Sequence, residues 1–136
     1  MPILWRNEMS VENDLIDQDH RYLLCLFNSI ELILSDKGLS DHLPFYFDQL
    51  LEYTQFHFDR EEKIQIKSNY PGAYEHKLKH KEIIQRLEEV TEAIRNGDSG
   101  VKDNLVELVR EWVIDHVVQA DKEMTSHLRQ FPRNYQ

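Results

Sequence analysis

Four stretches of the chain repeat apolar residues at the three- and four-residue spacing that marks one face of a helix. Their approximate limits are 17–34, 40–69, 73–97 and 101–128. Gly38, Gly72 and Gly100 fall between these stretches and Gly97 ends the third, as expected for residues that interrupt helices. No alternation typical of strands extends over a useful length. The pattern predicts an all-α fold, an up-down-up-down four-helix bundle behind an N-terminal arm of residues 1–16.

The second stretch carries an N-terminal signal of its own. Ser40 or Asp41 is predicted to be its N-cap, since either side chain can accept a hydrogen bond from the first turn. Pro44 then falls in that first turn, where its missing N–H costs nothing.

Composition limits the class of protein. At 136 residues, we expect a single domain spanning 1–136. One cysteine cannot form an internal disulfide, which favours a reducing, cytoplasmic location. A net charge of -9 argues against a nucleic-acid partner, and no run approaches the roughly 20 apolar residues of a membrane helix. The scattered acidic charge favours a monomer.

Polar residues interrupt the predicted inward faces on every helix. They are His20, His57-x-x-x-Glu61, His76-x-x-x-His80 and His116-x-x-x-x-Asp121. A spacing of four residues places two side chains on one face, whereas a spacing of five leaves them about 140° apart. Buried imidazoles and carboxylates without partners cost several kcal/mol each, but as metal ligands that cost is offset. The pattern therefore predicts a metal site inside the bundle.

The types of ligand atom limit which metals this site would bind. Without a thiolate, a closed structural zinc site is disfavoured, and imidazole with carboxylate suits iron or manganese. Two octahedral ions offer roughly twelve coordination positions. About eleven of these would be filled by two bridging carboxylates, the five histidines and one bridging oxygen. The remaining position would bind one small ligand, such as O2.

These residues resemble the hemerythrin family, specifically its single-domain bacteriohemerythrins. The resemblance extends to the flanking segments Leu4-Trp5, Ile16-Asp17-Gln18-Asp19-His20, His57-Phe58, Glu61-Glu62, Tyr70-Pro71-Gly72, Trp112 and Asp121-Lys122. It implies one iron held by His76, His80 and His116, and another held by His20 and His57. It further implies that Glu61, Asp121 and an oxo or hydroxo ligand bridge the two irons. The implied O2 pocket is lined by Leu23, Phe58, Trp112 and Val113.

The resemblance implies reversible O2 binding for storage, delivery or sensing, with no enzymatic activity. Small anions such as azide would mimic O2, and a partner protein could consume the O2 delivered. A diiron oxygenase, peroxidase or ferroxidase is the main alternative, but oxygen-activating bundles carry Glu-x-x-His motifs that this sequence lacks. The sensing module of a longer signalling protein and a purely structural metal bundle remain further alternatives.

Two positions depart from the family pattern. Gln65 stands where an apolar Met is frequent, and Val113 where a larger Leu is common.

A smaller Val113 would leave more room in the O2 pocket, which predicts faster ligand exchange and faster autoxidation. Val113→Leu should therefore slow autoxidation, followed as the decay of the oxygenated visible spectrum. An autoxidation rate that does not fall would contradict this interpretation of the pocket.

Overall fold

A computed structural model describes residues 2–97, 110–112, 116 and 121–136, without the side chains of Lys37 and Asp121. Three long helices dominate it: α1 (Asp14–Ser35), α2 (Leu43–Lys67) and α3 (Ala73–Arg95). Residues 110–112 are helical, and a 3-10 turn (Asp121–Met124) leads into the short helix α4 (Thr125–Leu128). No strand occurs in these described ranges, and none of their helices is long and apolar enough to cross a membrane.

The start of α1 differs from the sequence prediction. The helix begins at Asp14 rather than near residue 17, because the Asn13 side chain accepts hydrogen bonds from the backbone N–H groups of Leu15 and Ile16. The same side chain donates to the carbonyl oxygen of Tyr135 at 2.8 Å. Asn13 therefore caps α1 and also ties it to the end of the chain.

The predicted N-cap of α2 is wrong. Ser40 and Asp41 lie within a 3-10 turn (Lys37–His42), and the residue that precedes α2 is His42, whose side chain makes no capping bond. Asp36 opens the turn by accepting the backbone N–H of Gly38 at 2.9 Å. Pro44 does lie in the first turn of α2, as predicted.

The arm before α1 lies against that helix. Asp17 accepts the backbone N–H of Val11 at 2.9 Å and the Ser10 hydroxyl at 2.6 Å. Val11 is fully buried, and the Arg21 guanidinium lies 4.7 Å from the centre of the Trp5 ring. The arm thus covers the bundle surface instead of extending into solvent.

Among the described residues, most buried apolar side chains fall into two clusters. The main cluster comprises Met9, Leu23, Leu24, Leu26, Phe27, Ile30, Ile33, Leu43, Phe47, Leu50, Leu87 and Ile94. The end cluster comprises Val11, Ile16, Ile64, Met124 and Leu128.

Polar residues separate the two clusters along the chain. On α1, His20 lies between Ile16 of the end cluster and Leu23 of the main cluster. On α2, His57 and Glu61 lie between main-cluster and end-cluster residues in the same way. The two apolar clusters therefore enclose a polar layer from both ends.

Candidate metal centre

The polar layer is built around the carboxylate of Glu61, which is fully buried. Its Oε2 lies 3.1 Å from Nε2 of His57 and 3.8 Å from Nε2 of His20. Its Oε1 lies 2.9 Å from Nε2 of His76 and 3.2 Å from Nε2 of His80. Each carboxylate oxygen therefore faces a different group of imidazoles.

His116 completes the second group. Its Nε2 lies 3.1 Å from Nε2 of His80, and its ring centre is 5.1 Å from that of His76. The ligand atoms of Glu61, His76, His80 and His116 all lie within 4.8 Å of one another, as do those of the set His20, His57 and Glu61. Glu61 belongs to both sets and joins them.

The local sequence explains why these groups meet. His57 and Glu61 are four residues apart on α2, and His76 and His80 are four residues apart on α3, so each pair projects from one face. α1 and the stretch containing His116 supply the remaining imidazoles from the other sides. All five imidazoles are at most 5% exposed.

The arrangement has the donor chemistry of a cation site. Both oxygens of Glu61 and Nε2 of His57 are buried without an aligned hydrogen bond in the described part of the chain. Because Nδ1 of His57 faces the carboxylate of Asp19 at 2.9 Å, its Nε2 carries the lone pair that points into the site. Converging lone pairs of imidazole and carboxylate fit a divalent ion such as iron.

Burial and contacts act in opposite directions on the charges here. Burial alone would raise the pKa of the Glu61 carboxyl, but contacts with the imidazoles hold its pKa well below the usual value. Burial alone would lower the pKa of His57, but Asp19 and Glu61 raise it. The lowered pKa of Glu61 keeps its carboxylate ionised at the centre of the site.

The aromatic ring of Phe58 covers one side of the site. It stacks on His80 with a centroid distance of 3.7 Å and meets His116 edge-on at 5.2 Å. Leu23 is 1% exposed, one turn after His20, and Trp112 packs against the main cluster. Of the predicted pocket residues, Phe58 thus contacts the imidazoles, whereas Leu23 and Trp112 are placed with the main apolar cluster.

Six of the seven predicted ligands therefore come together: His20, His57, Glu61, His76, His80 and His116. The side chain of Asp121 and the whole of Val113 lie outside the described residues. Two carboxylates adjacent to the imidazoles were not identified from the sequence. Asp19 contacts Nδ1 of His57 and Glu62 contacts Nδ1 of His80 at 3.2 Å, across helix pairs that sequence spacing does not relate.

The remaining histidines lie away from the centre. His42 is exposed. His127 is half-buried, with Nε2 2.9 Å from the carbonyl oxygen of Ser68 and its ring close to Tyr70 and Phe131. Its role is in packing the end of the chain.

Gln65 lies one helical turn after Glu61 and is fully buried. Its amide donates to the sulfur of Met124 at 2.8 Å, while its Oε1 has no hydrogen-bond partner in the described part of the chain. A buried carbonyl without a partner costs about 1–3 kcal/mol.

Gln65→Met should therefore raise the free energy of unfolding of the metal-free chain by about 1 kcal/mol, measured by urea denaturation. Gln55→Met is the matched control, since Gln55 is exposed on the same helix and its change should have little effect. A lower free energy of unfolding in Gln65→Met but not in Gln55→Met would show that the Gln65 amide stabilises the fold.

Comparisons with known proteins point to one family. A family model described as the hemerythrin HHE cation binding domain matches residues 11–128. The chain is 25% identical over 138 residues to a bacteriohemerythrin of Stenotrophomonas maltophilia, covering 98% of this chain and 89% of the relative. It is 27% identical over 125 residues to a bacteriohemerythrin of Clostridium acetobutylicum, covering 88% of this chain and 96% of the relative.

A solved structure supports the fold independently. The crystal structure of a hemerythrin mutant matches with a TM-score of 0.84 at 21% identity, covering 93% of this chain and 96% of that one. At this identity the likeness concerns the fold alone, and it confirms the predicted four-helix bundle.

Proposed function

Because the chain belongs to the hemerythrin family, we propose that it holds two iron ions between its helices and binds O2 reversibly there. The observation that carries this proposal is the position of Glu61. Its Oε1 faces His76 and His80, and its Oε2 faces His57 and His20. A carboxylate with each oxygen directed at a separate imidazole group is suited to bridging two ions.

In this proposal His76, His80 and His116 hold one ion, and His20 and His57 hold the other. Glu61 and Asp121 would serve both ions, together with an oxo or hydroxo ligand. With three imidazoles for one ion and two for the other, the second ion would have room for one small ligand. Two ferrous ions would supply the electrons that reversible O2 binding requires.

The protein's own contribution is to shield this position. Leu23 and Phe58 are at most 3% exposed, and the Phe58 ring presents an apolar face to His80 and His116. We propose that Trp112 and Val113 complete the same pocket. An apolar lining keeps water and protons away from the bound ligand, which favours release of O2 over its reduction.

The direct test combines metal analysis with visible spectra under air and under argon. Two irons per chain, with a charge-transfer band that develops in air and fades under argon, would support the proposal. Zinc, a single iron, or a spectrum insensitive to O2 would contradict it. Azide should give its own band by occupying the open position, and a coordinatively closed structural site would form no azide complex.

Catalytic consumption of O2 or peroxide with a cosubstrate would favour the alternative, a diiron enzyme. The single domain, the monomeric state, the cytoplasmic location and an O2-consuming partner protein stay predictions from the sequence. Carrier and sensing roles share the same site, so the spectra test O2 binding and not its use in the cell.

A further inference from the structure

The imidazole of His57 is held on its outer side by Asp19. Oδ2 of Asp19 lies 2.9 Å from Nδ1 of His57, and both residues are 1% exposed. A carboxylate accepts hydrogen bonds only, so this contact places the proton on Nδ1. Nε2, 3.1 Å from Oε2 of Glu61, is then left as the nitrogen that can bind a metal.

Asp19 is itself held by two further donors. The Tyr53 hydroxyl donates to its Oδ1 at 2.8 Å, and the Arg60 guanidinium donates to the same oxygen at 2.8 Å. Tyr53 and Arg60 are both on α2, on either side of His57. Asp19 therefore connects α1 to three side chains of α2, and its carboxylate has little freedom to rotate.

The corresponding contact on His80 is weaker. Its partner Glu62 lies 3.2 Å from Nδ1, is 17% exposed in its side chain, and borders an open cavity of about 480 Å³. Within the described residues, Glu62 has no second donor comparable to those on Asp19. His80 is also fixed by stacking on Phe58 and belongs to the group of three imidazoles.

We propose that Asp19 is a positioning residue that sets the metal affinity and reduction potential of the ion held by His20 and His57. It acts through His57 by selecting the Nδ1–H tautomer and fixing the ring toward Glu61. A carboxylate behind a ligand histidine also makes the imidazole a stronger donor, which stabilises the ferric state. The inference rests on the proposed diiron function, because that function identifies this ion as the one with the open position.

The test is Asp19→Asn in the full chain, titrated with Co²⁺ alone under argon. Asparagine keeps the shape but loses the charge and one of the two acceptor oxygens. We expect the ion held by His76, His80 and His116 to bind as in the unsubstituted protein. The ion held by His20 and His57 should bind about 10–100-fold more weakly, the usual effect of removing such a partner. In the iron-loaded variant, the reduction potential should shift to a higher value.

Tyr53→Phe provides a milder variant that leaves His57 and Asp19 in place. Removing one of the two donors to Asp19 should move affinity and potential in the same direction by a smaller amount. Tyr46→Phe is the matched control, since it makes the same change on the same helix away from the site and should alter neither quantity. Glu62→Gln should weaken binding of the ion held by His76, His80 and His116, and should change the reduction potential by less than Asp19→Asn, because the Glu62 contact is the longer and more exposed one.

Unchanged affinity and unchanged potential in Asp19→Asn and Tyr53→Phe would overturn the proposal, even if both variants are less stable. A loss of thermal stability without a shift in potential would indicate a purely structural contact. If Asp19→Asn does not fold, Tyr53→Phe decides by itself. A failure of the unsubstituted protein to bind two ions would instead refute the diiron function.

Discussion

Glu61→Gln should reduce metal loading from two ions per chain to at most one. The substitution removes the charge between the two imidazole groups and replaces one oxygen by an amide that donates hydrogen bonds. That amide would donate a hydrogen bond to an imidazole lone pair on whichever side it faces. The two metal ions could then no longer share residue 61 as a ligand. Removing a residue that hydrogen-bonds to a ligand histidine costs about 10–100-fold in metal affinity. Loss of Glu61, a proposed ligand itself, should weaken binding of the second ion by more than that.

Glu52→Gln is the matched control, because Glu52 is an exposed carboxylate on the same helix. It should retain two irons per chain and the O2-dependent spectrum. Iron content after anaerobic reconstitution measures the loading, and circular dichroism verifies that both variants keep their helices. Two tightly bound ions in Glu61→Gln would show that Glu61 is not the bridge.

Removing the metal should lower the thermal stability of the protein substantially. Without an ion, the lone pairs of His57 and the oxygens of Glu61 converge in the interior without aligned hydrogen bonds. An ion that binds only the folded chain, at 1,000 times its Kd, contributes about 4 kcal/mol. Calorimetry of loaded and chelator-treated protein should then show a difference in Tm on the order of 10 °C.

Two histidine variants separate this effect from nonspecific binding of metal. His42→Gln changes an exposed histidine outside the site and should preserve the full rise in Tm on loading. His76→Gln removes a buried imidazole that faces Oε1 of Glu61 and should lose most of that rise. Equal Tm values for loaded and metal-free protein would mean that no ion stabilises this layer.

Helix periodicity alone identified most of the buried layer. His20, His57, Glu61, His76, His80 and His116 interrupt apolar faces, and the structure places all six together. This worked because spacings of three and four residues determine which side chains share a helix face. The predicted residues Asp121 and Val113 stay predictions, since no described side chain tests them.

Helix ends and contacts between helices could not be predicted in the same way. The side chain of Asn13 that caps α1 also bonds to Tyr135 near the other end of the chain, and residues 37–42 form a 3-10 turn before α2. The contact of Asp19 with His57 depends on how α1 and α2 face each other, which no local pattern contains. The burial of Gln65 against Met124 likewise depends on where the end of the chain folds back.

The sequence by itself determined the class of fold, the family and the donor atoms available to a metal, because each depends on residue type and on spacing within one helix. Only the tertiary structure decided that the two oxygens of Glu61 face different imidazole groups and that Asp19, held by Tyr53 and Arg60, supports one of them. Those relations depend on the rotation and offset of neighbouring helices, which are set by the packing of the whole bundle.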